Sequence, residues 1–278
     1  MLPHWINFIT DYNSPIQLAL FVVLLYIFWN IENIVGISLQ YKKWKHAFLN
    51  AGFIFTNIPI MLLLGLLFVK TIHWTQLHHF GILNQLPLSH HLLLLFIASF
   101  IFLDLGEYVY HVIMHRVKRL WMFHLVHHSD NVVDVSTTLR EHPGENFIRL
   151  SFTLLWVFIS GTLFWVLLLR QTIQVITTLF AHMNYQLPKK LDKAIGFVFI
   201  TPNLHHVHHH FQQPYTDCNY GDVLSIWDRL FGTFRTLPQQ EIIYGVDTYM
   251  DIKEHARFNV LLKLPFGKYR SKNDIILP

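Results

Sequence analysis

The chain has 278 residues, of which 53% are hydrophobic, 15% aromatic and only 14% charged, a balance too apolar for an ordinary soluble domain. Its single cysteine, Cys218, excludes an internal disulfide and a thiolate metal cluster. The net charge of +4 comes from basic residues scattered beside apolar segments and not from one basic stripe, so we expect no nucleic-acid partner.

This composition predicts an all-α integral membrane protein. The first predicted span covers residues 16–39, and the aromatic and basic loop 41–45 that follows marks a membrane interface. Because no Lys or Arg precedes that span, we expect no cleavable signal peptide. The second predicted span covers residues 47–69 and contains Pro59, which we expect to kink it.

Two further apolar segments lead to histidine-rich sequence. The third predicted span starts near Leu92 and continues without a breaker to His111 and His115. The fourth covers residues 147–169, and residues 172–182 are interpreted as a short helix that returns from it as a hairpin. We therefore predict a bundle of about four transmembrane helices plus this hairpin helix. Residues 1–278 form one domain, capped by a histidine-rich helical region.

The basic residues predict the orientation of the bundle. If the spans alternate, all Lys and Arg residues except Lys70 and Arg170 fall on the side of the 42–45 loop. We interpret that side as cytoplasmic, in a bacterial inner membrane or the endoplasmic reticulum. The loop over residues 70–91 then lies outside, where we expect interfacial roles for its histidines, which are His73, His78, His79, His90 and His91.

Three boxes of histidines follow the apolar segments on the cytoplasmic side. Within each box the residues are three or four apart, so on a helix they share one face, as chelating ligands do. Eight imidazoles are too many for one tetrahedral zinc ion and suit two metals with open positions. The boxes are His111 and His115, then His124, His127 and His128, and finally His205, His208 and His209.

The boxes leave several functions open. One histidine pair on a helix is more often structural than ligating, but eight crowded imidazoles would repel when protonated and lose hydration when neutral, unless metals use their lone pairs. Nitrogen ligands suit Fe, Zn, Cu or Ni. Oxidation of an unactivated C–H bond needs a redox metal, whereas ester hydrolysis needs one zinc-bound water and a base. We therefore favour an oxygenase over a zinc-dependent membrane lipid hydrolase or a non-catalytic metal-binding or transport protein.

The boxes resemble the eight-histidine signature of the fatty acid hydroxylase / sterol desaturase superfamily of membrane di-iron oxygenases. The resemblance covers about residues 92–236, the predicted catalytic region, and indicates little about the substrate. Other stretches similar to its bacterial sterol-desaturase-like members are Leu139-Arg-Glu-His-Pro-Gly-Glu145, Ala181-His-Met-Asn184, Thr201-Pro-Asn-Leu-His205, Asp217-Cys-Asn-Tyr-Gly221 and Ser225-Ile-Trp-Asp-Arg-Leu-Phe-Gly-Thr233.

The resemblance implies that the eight box histidines bind two iron ions, with zinc possible on heterologous expression. It implies O2-dependent hydroxylation or desaturation of a fatty acyl, sterol or related lipid. His182, which the hairpin returns to the correct side, is the predicted ninth ligand, and His142 is a candidate for supporting the ligands. His206, His209 and His210 also spell HxxHH, but we keep 205, 208 and 209.

Asp104 and Glu107 precede His111 by seven and four residues, hence on its helical face. Carboxylates at that depth are costly unless partnered, so we predict that they accept the second ring N–H of ligand imidazoles. We interpret Trp121 and Tyr220 as packing or membrane-interface residues.

The predicted reaction also needs partners. Lipid is expected to enter sideways from the bilayer through an apolar channel, which would shield the reaction from water. Since the sequence contains no haem, flavin or dinucleotide motif, we expect an external ferredoxin-like or cytochrome-like electron donor.

The predicted topology can be tested with reporter fusions at Lys43, His79 and Pro278. We expect Lys43 and Pro278 on the cytoplasmic side and His79 on the opposite side, because basic loops are retained in the cytoplasm. Accessibility of reporters in intact and opened cells measures the side. Opposite locations for Lys43 and Pro278 would contradict the topology.

Overall fold

The computed structural model describes residues 13–37, 41–87 and 91–271. Over these residues the protein is all-helical, and its only β pairing is two isolated bridges, Phe199 with Leu224 and His210 with Tyr244. The α-helices of the described chain are α1 (Asn13–Val35), α2 (Lys43–Leu77), α3 (Leu92–Arg116), α4 (Lys118–His128), α5 (Pro143–Ser160), α6 (Phe164–His182), α7 (Lys189–Ile195), α8 (Pro202–His208), α9 (Ile226–Leu230), α10 (Ile252–His255) and α11 (Phe258–Lys263).

Four helices are long and apolar enough to cross a membrane, namely α1, α2, α3 and α6. The predicted all-α class with four such helices is confirmed. Helix α2 is longer than the predicted span, because it begins at Lys43 and ends at Leu77. Its 35 residues correspond to about 52 Å at 1.5 Å per residue, well beyond a hydrocarbon core of roughly 30 Å. The helix continues through Pro59.

The sequence predicts the turn of the hairpin at residues 170–171, between the span 147–169 and the returning helix 172–182. This position of the turn is wrong. The chain turns at Gly161, which caps α5 with a φ of 70°, a left-handed conformation that glycine adopts without strain. Residues 164–182 then form the single helix α6. Arg170 is buried within α6, where Nη2 lies 3.7 Å from Glu107 Oε2 of α3, and not in an outer loop. His182 still lies at the returning end, as predicted.

The helix ends meet at two opposite poles of the bundle. At one pole Gln76 of α2 donates to the carbonyl of Gly161 at 2.9 Å. At the other pole the last turn of α1 meets the cap, since Glu32 Oε1 accepts the backbone N–H groups of Val135 at 2.9 Å and Asn184 at 2.7 Å. Helices α1, α3 and α6 end at this second pole, and α2 and α5 begin there. The histidine boxes therefore share one end of the bundle.

A buried arginine joins the cap to this pole. Arg140 is only 1% exposed and donates to the carbonyls of Val126 and His255, each at 2.9 Å. Its guanidinium also donates to Ser129 Oγ at 2.9 Å and Asn50 Oδ1 at 3.3 Å. Because each buried donor lost would leave an unpaired polar group, this residue fixes α2, α4 and the C-terminal segment relative to one another.

Close packing of α3 against α5 yields a stability prediction. A Cβ at Gly106 would lie 2.6 Å from Cδ2 of the Trp156 ring, whereas at Gly65 of α2 it would meet nothing within 4 Å. Gly106→Ala should destabilise the bundle by about 1–3 kcal/mol through overpacking. Gly65→Ala, the matched control, should cause no loss. Thermal unfolding in detergent measures both, and equal midpoints for the two variants would contradict this packing.

Candidate metal centre

The structure brings the eight box histidines and His182 together in two adjoining groups. In each group every residue offers one nitrogen, and these nitrogens all lie within 4.8 Å of one another. His127 is half-buried and the other eight are buried. Group one is His111, His115, His124, His128 and His208, and group two is His127, His182, His205 and His209.

Helical spacing explains how the HxxHH boxes serve both groups. In α4, His124 and His128 are four residues apart and point into group one, whereas His127 points into group two. In the third box the roles are exchanged, because the four-residue pair His205 and His209 belongs to group two and His208 to group one. Each box therefore bridges the two groups, and His128 and His209 stack at 4.6 Å between them.

Six imidazoles have their outward nitrogen fixed by an oxygen acceptor. A neutral imidazole carries one N–H, so an Nδ1 that donates to a carbonyl leaves a lone pair on Nε2. The Nδ1 acceptors are Tyr220 O for His111 (2.8 Å), Asp217 Oδ1 for His115 (3.3 Å), Glu145 Oε1 for His124 (2.5 Å), Arg140 O for His127 (3.3 Å), Thr178 O for His182 (2.8 Å) and Cys218 O for His208 (2.7 Å).

Because these acceptors take the N–H at Nδ1, the inward Nε2 atoms carry lone pairs, and in two pairs of rings these lone pairs face each other. His127 and His182 both donate through Nδ1 to backbone carbonyls, yet their Nε2 atoms are 3.1 Å apart. The Nε2 atoms of His111 and His124 are also 3.1 Å apart. Two lone pairs cannot form a hydrogen bond, so a cation between them is needed for stability. Two nitrogens at about 2.0–2.1 Å from one metal ion and at right angles would be about 3 Å apart, which fits.

Burial keeps the cap imidazoles neutral. Desolvation, with neighbouring histidines adding to it, lowers the pKa of His124, His127 and His128 well below the ordinary value. Desolvation also lowers the pKa of His208 to about 3. In addition, both ring nitrogens of His128 are buried without a hydrogen-bond partner among the described residues. Neutral, unpartnered imidazole nitrogens are the state in which histidine binds metals.

The two carboxylates predicted to orient ligand imidazoles have other partners in the structure. Asp104 accepts the indole N–H of Trp227 at 2.8 Å and the backbone N–H of Leu224 at 3.3 Å. Glu107 forms ion pairs with Arg149 at 3.2 Å and with Arg170. Neither has a hydrogen bond to a box histidine among the described contacts. These side chains lie one or two helical turns before His111, where they contact α5, α6 and α9, and their role toward the ligand imidazoles stays a prediction.

The remaining histidine candidates also lie apart from the two groups. His142 caps α5, where Nδ1 accepts the backbone N–H of Gly144 at 2.9 Å and Nε2 donates to the carbonyl of Leu262 at 3.2 Å. The structure thus places His142 away from the ligand imidazoles, and its supporting role stays a prediction. His206 contacts the hydroxyl of Tyr244 at 2.9 Å, and Nδ1 of His210 accepts the backbone N–H of Ile243. The structure thus favours the 205, 208 and 209 register.

The histidines of the 70–91 segment belong to the opposite pole. His73 and Trp74 lie in the last turns of α2, next to Gln76, which contacts the α5–α6 turn. His91 caps the start of α3 at the same pole. His90 lies outside the described residues. The described histidines of this segment are therefore separated from the two groups by the length of α3.

Three residues that contact the groups were not recognised as such from the sequence. Glu145 was included in a family-like stretch but given no role toward a ligand, and it accepts from His124. Asp217 accepts from His115. The Tyr220 ring, fully buried, lies 5.0 Å from His115 and 5.5 Å from His111. Both Asp217 and Tyr220 belong to a stretch that resembled the superfamily, which was the available signal.

A cavity of about 40 Å³ adjoins both groups on the bundle side. This volume suffices for a few water-sized molecules. Polar and charged side chains line this cavity, although about half of its surface is apolar. Besides histidines of both groups, the lining includes Thr138, Glu141, Glu145, Arg149, Thr178 and Asp222.

The fold and this site define a helical membrane protein with a buried histidine centre. A family model described as fatty acid hydroxylase matches residues 96–233. The chain belongs to the fatty acid hydroxylase family, and the predicted resemblance is confirmed.

Curated relatives agree with the family. Alkylglycerol monooxygenase of Danio rerio is 34% identical over 53% of this chain and 32% of its own length. Ornithine lipid hydroxylase OlsE of Rhizobium tropici is 30% identical over 69% of this chain and 55% of its own length. Human cholesterol 25-hydroxylase is 26% identical over 54% of this chain and 53% of its own length. The chain thus aligns with about a third to a half of each relative. No solved structure matches the chain significantly.

Proposed function

We propose that this protein is an O2-dependent lipid hydroxylase with two iron ions, one held by group one and the other by group two. The observation that carries the proposal is the pair of opposed Nε2 lone pairs in each group, His111 with His124 and His127 with His182. The nine nitrogen donors fit two redox metals, and the relatives are named as hydroxylases and monooxygenases of lipids.

When bound, the irons supply the redox chemistry by which O2 and two external electrons convert a C–H bond to C–OH and water. The protein's own residues hold and orient the donors. Backbone carbonyls and the carboxylates of Glu145 and Asp217 fix six of the nine rings through Nδ1, which makes the inward nitrogen a better ligand. The buried position of the groups limits access of bulk water.

The polar side chains at this cavity bear on the substrate. Thr138, Glu141 and Asp222 lie beside both groups, where they would hydrogen-bond a polar head group next to the reacting carbon, and an isolated hydrocarbon tail offers no such group. Alkylglycerol and ornithine lipid, the substrates in two relatives' names, are lipids of this kind. We propose a polar membrane lipid as substrate, hydroxylated on the cytoplasmic side with electrons from an external donor.

The ligand assignment can be tested with two histidines of α8, His206 and His208. His208→Ala removes a nitrogen from group one and should lower the metal content from two per chain and abolish hydroxylation. His206→Ala is the matched control, since His206 is equally buried but contacts Tyr244, and should keep both metals. Elemental analysis of protein expressed with ample iron provides the measurement. Equal metal loss in both variants, or one metal or none in the wild type, would refute the assignment.

The reaction can be tested on total lipid extract supplied with ¹⁸O2. The proposal predicts a product heavier than its substrate by one ¹⁸O atom, found by mass spectrometry only when O2 and a reductant are present. Turnover that persists without O2, with products cleaved by water, would instead identify a zinc-dependent hydrolase. Loss of two hydrogens without incorporated label would indicate desaturation.

A further inference from the structure

A second cavity, of about 80 Å³, opens among the cap segments and reaches a single member of the two groups, His115. Its wall comes from the end of α3, from α4 and from three irregular segments of the C-terminal half. The lining residues include Trp121, Gln213, Asp217, Thr248, Tyr269 and Arg270. The first cavity, by contrast, is lined mainly by α4, α5, α6 and the segments around Thr138 and Asp222, and it contacts both groups. The centre is thus approached separately from the bundle and from the cap.

Trp121 connects this second cavity to group one. Its ring is half-buried and lines the cavity. On the inner side, the ring centroid lies 4.8 Å from that of His115, 5.3 Å from that of His128 and 6.1 Å from that of His124. One aromatic side chain therefore touches three of the five imidazoles of group one and the cap cavity at once. The sequence alone indicates only a packing or membrane-interface role for this residue.

The exposed residues that adjoin His115, Trp121 and Tyr269 of the second cavity, here called its rim, are basic. Arg116, Lys118 and Arg119 are exposed and lie directly between His115 and Trp121 in the chain. Lys118 Nζ lies 5.4 Å from the ring of Tyr269, beside the exposed Lys268. The cavity wall itself carries both signs, since Asp217, Asp247 and Arg270 line it. The carboxylate of Asp217 contacts His115 and Gln213, and Arg270 pairs with Glu254, so the exposed charges next to Trp121 in the chain are positive.

We propose that this rim, defined as Arg116, Lys118, Arg119 and Lys268, docks a small acidic one-electron carrier protein, and that Trp121 conducts its electrons to group one. The inference rests on the proposed function, in which each turnover consumes two electrons that the chain cannot supply. The balance is R–H + O2 + 2 reduced carriers + 2 H⁺ → R–OH + H2O + 2 oxidised carriers.

The physical argument combines steering with proximity. Opposite charges raise the rate of encounter and orient the partner, and exposed pairs are weakened by salt, which suits a carrier that must leave after one electron. Electron-transfer partners form small, transient interfaces. Transfer falls steeply with distance, and Trp121 is the aromatic ring that lies between the rim and the imidazoles.

Docking can be measured without turnover. The probe is an acidic plant-type [2Fe–2S] ferredoxin, in its oxidised form, added to the metal-loaded protein in nanodiscs of zwitterionic lipid at low salt. Lys118→Glu with Arg119→Glu should weaken its binding on the order of tenfold, and added salt should weaken wild-type binding. The matched control is Lys189→Glu with Lys190→Glu, two exposed lysines that do not line the cavity, with affinity expected to change less than about twofold. Equal loss in both pairs, or no ferredoxin binding, would overturn the docking surface.

A lipid-binding role for the rim is a separate outcome of the same variants. If Lys118→Glu with Arg119→Glu lowers binding to vesicles of anionic phospholipid but leaves ferredoxin binding unchanged, the surface is a membrane contact and the proposal is wrong.

Electron conduction through Trp121 needs a comparison of two reductants. Stopped-flow reduction of the iron-loaded protein by ferredoxin should slow on the order of tenfold in Trp121→Leu relative to reduction by dithionite, with less effect in Trp121→Phe, which keeps a ring. Ferredoxin affinity should not change, which separates conduction from docking.

Trp44→Leu, at an exposed tryptophan on α2, is the control. An unchanged ratio of the two rates in Trp121→Leu would refute the role. Failure of lipid hydroxylation with both reductants would instead refute the proposed function and leave the docking result standing.

Discussion

The structure depends on one constraint: nine imidazoles lie at one buried end of a helical bundle, and in each group two of them direct Nε2 lone pairs at each other. At 3.1 Å, the Nε2 atoms of His127 and His182 repel unless a cation lies between them. The nearby carbonyls prevent the rings from relieving this repulsion by exchanging tautomers, because Nδ1 is already the donor. This arrangement favours the binding of metal cations by the histidine groups.

Holding the imidazoles in these orientations determines the architecture of the cap. The apolar helices α3 and α6 bring His111, His115 and His182 to one end, and α6 itself supplies the Thr178 carbonyl that fixes His182. The carbonyls of Tyr220 and Cys218, which fix His111 and His208, come from irregular chain after α8. That irregular chain must itself be buried and paired. The carboxylate of Asp228 pairs it by accepting hydrogen bonds from the backbone N–H groups of Tyr220 and Gly221.

Much of this arrangement was predictable from local spacing. Residues three and four apart on a helix share a face, so the three boxes and their convergence could be predicted, and His182 followed from the returning hairpin. The alternation between groups could not be predicted, because it depends on the orientation of α4 against α8. Asp104 and Glu107 were assigned to ligand imidazoles from their position on α3, yet residues distant in sequence, Trp227 and Arg149, are nearer partners. The turn at Gly161 could not be predicted from composition, because the sequence stays apolar on both sides of it. What ends the helix there is the left-handed backbone conformation of Gly161, which the hydrophobic pattern does not show.

The most direct test of the central claim is anomalous X-ray scattering at the iron absorption edge, from crystals of protein produced in iron-replete cells. The account predicts two peaks per chain, one among His111, His115, His124, His128 and His208 and the other among His127, His182, His205 and His209. A single peak shared by both groups, peaks at other residues, or no iron signal at either group would contradict it.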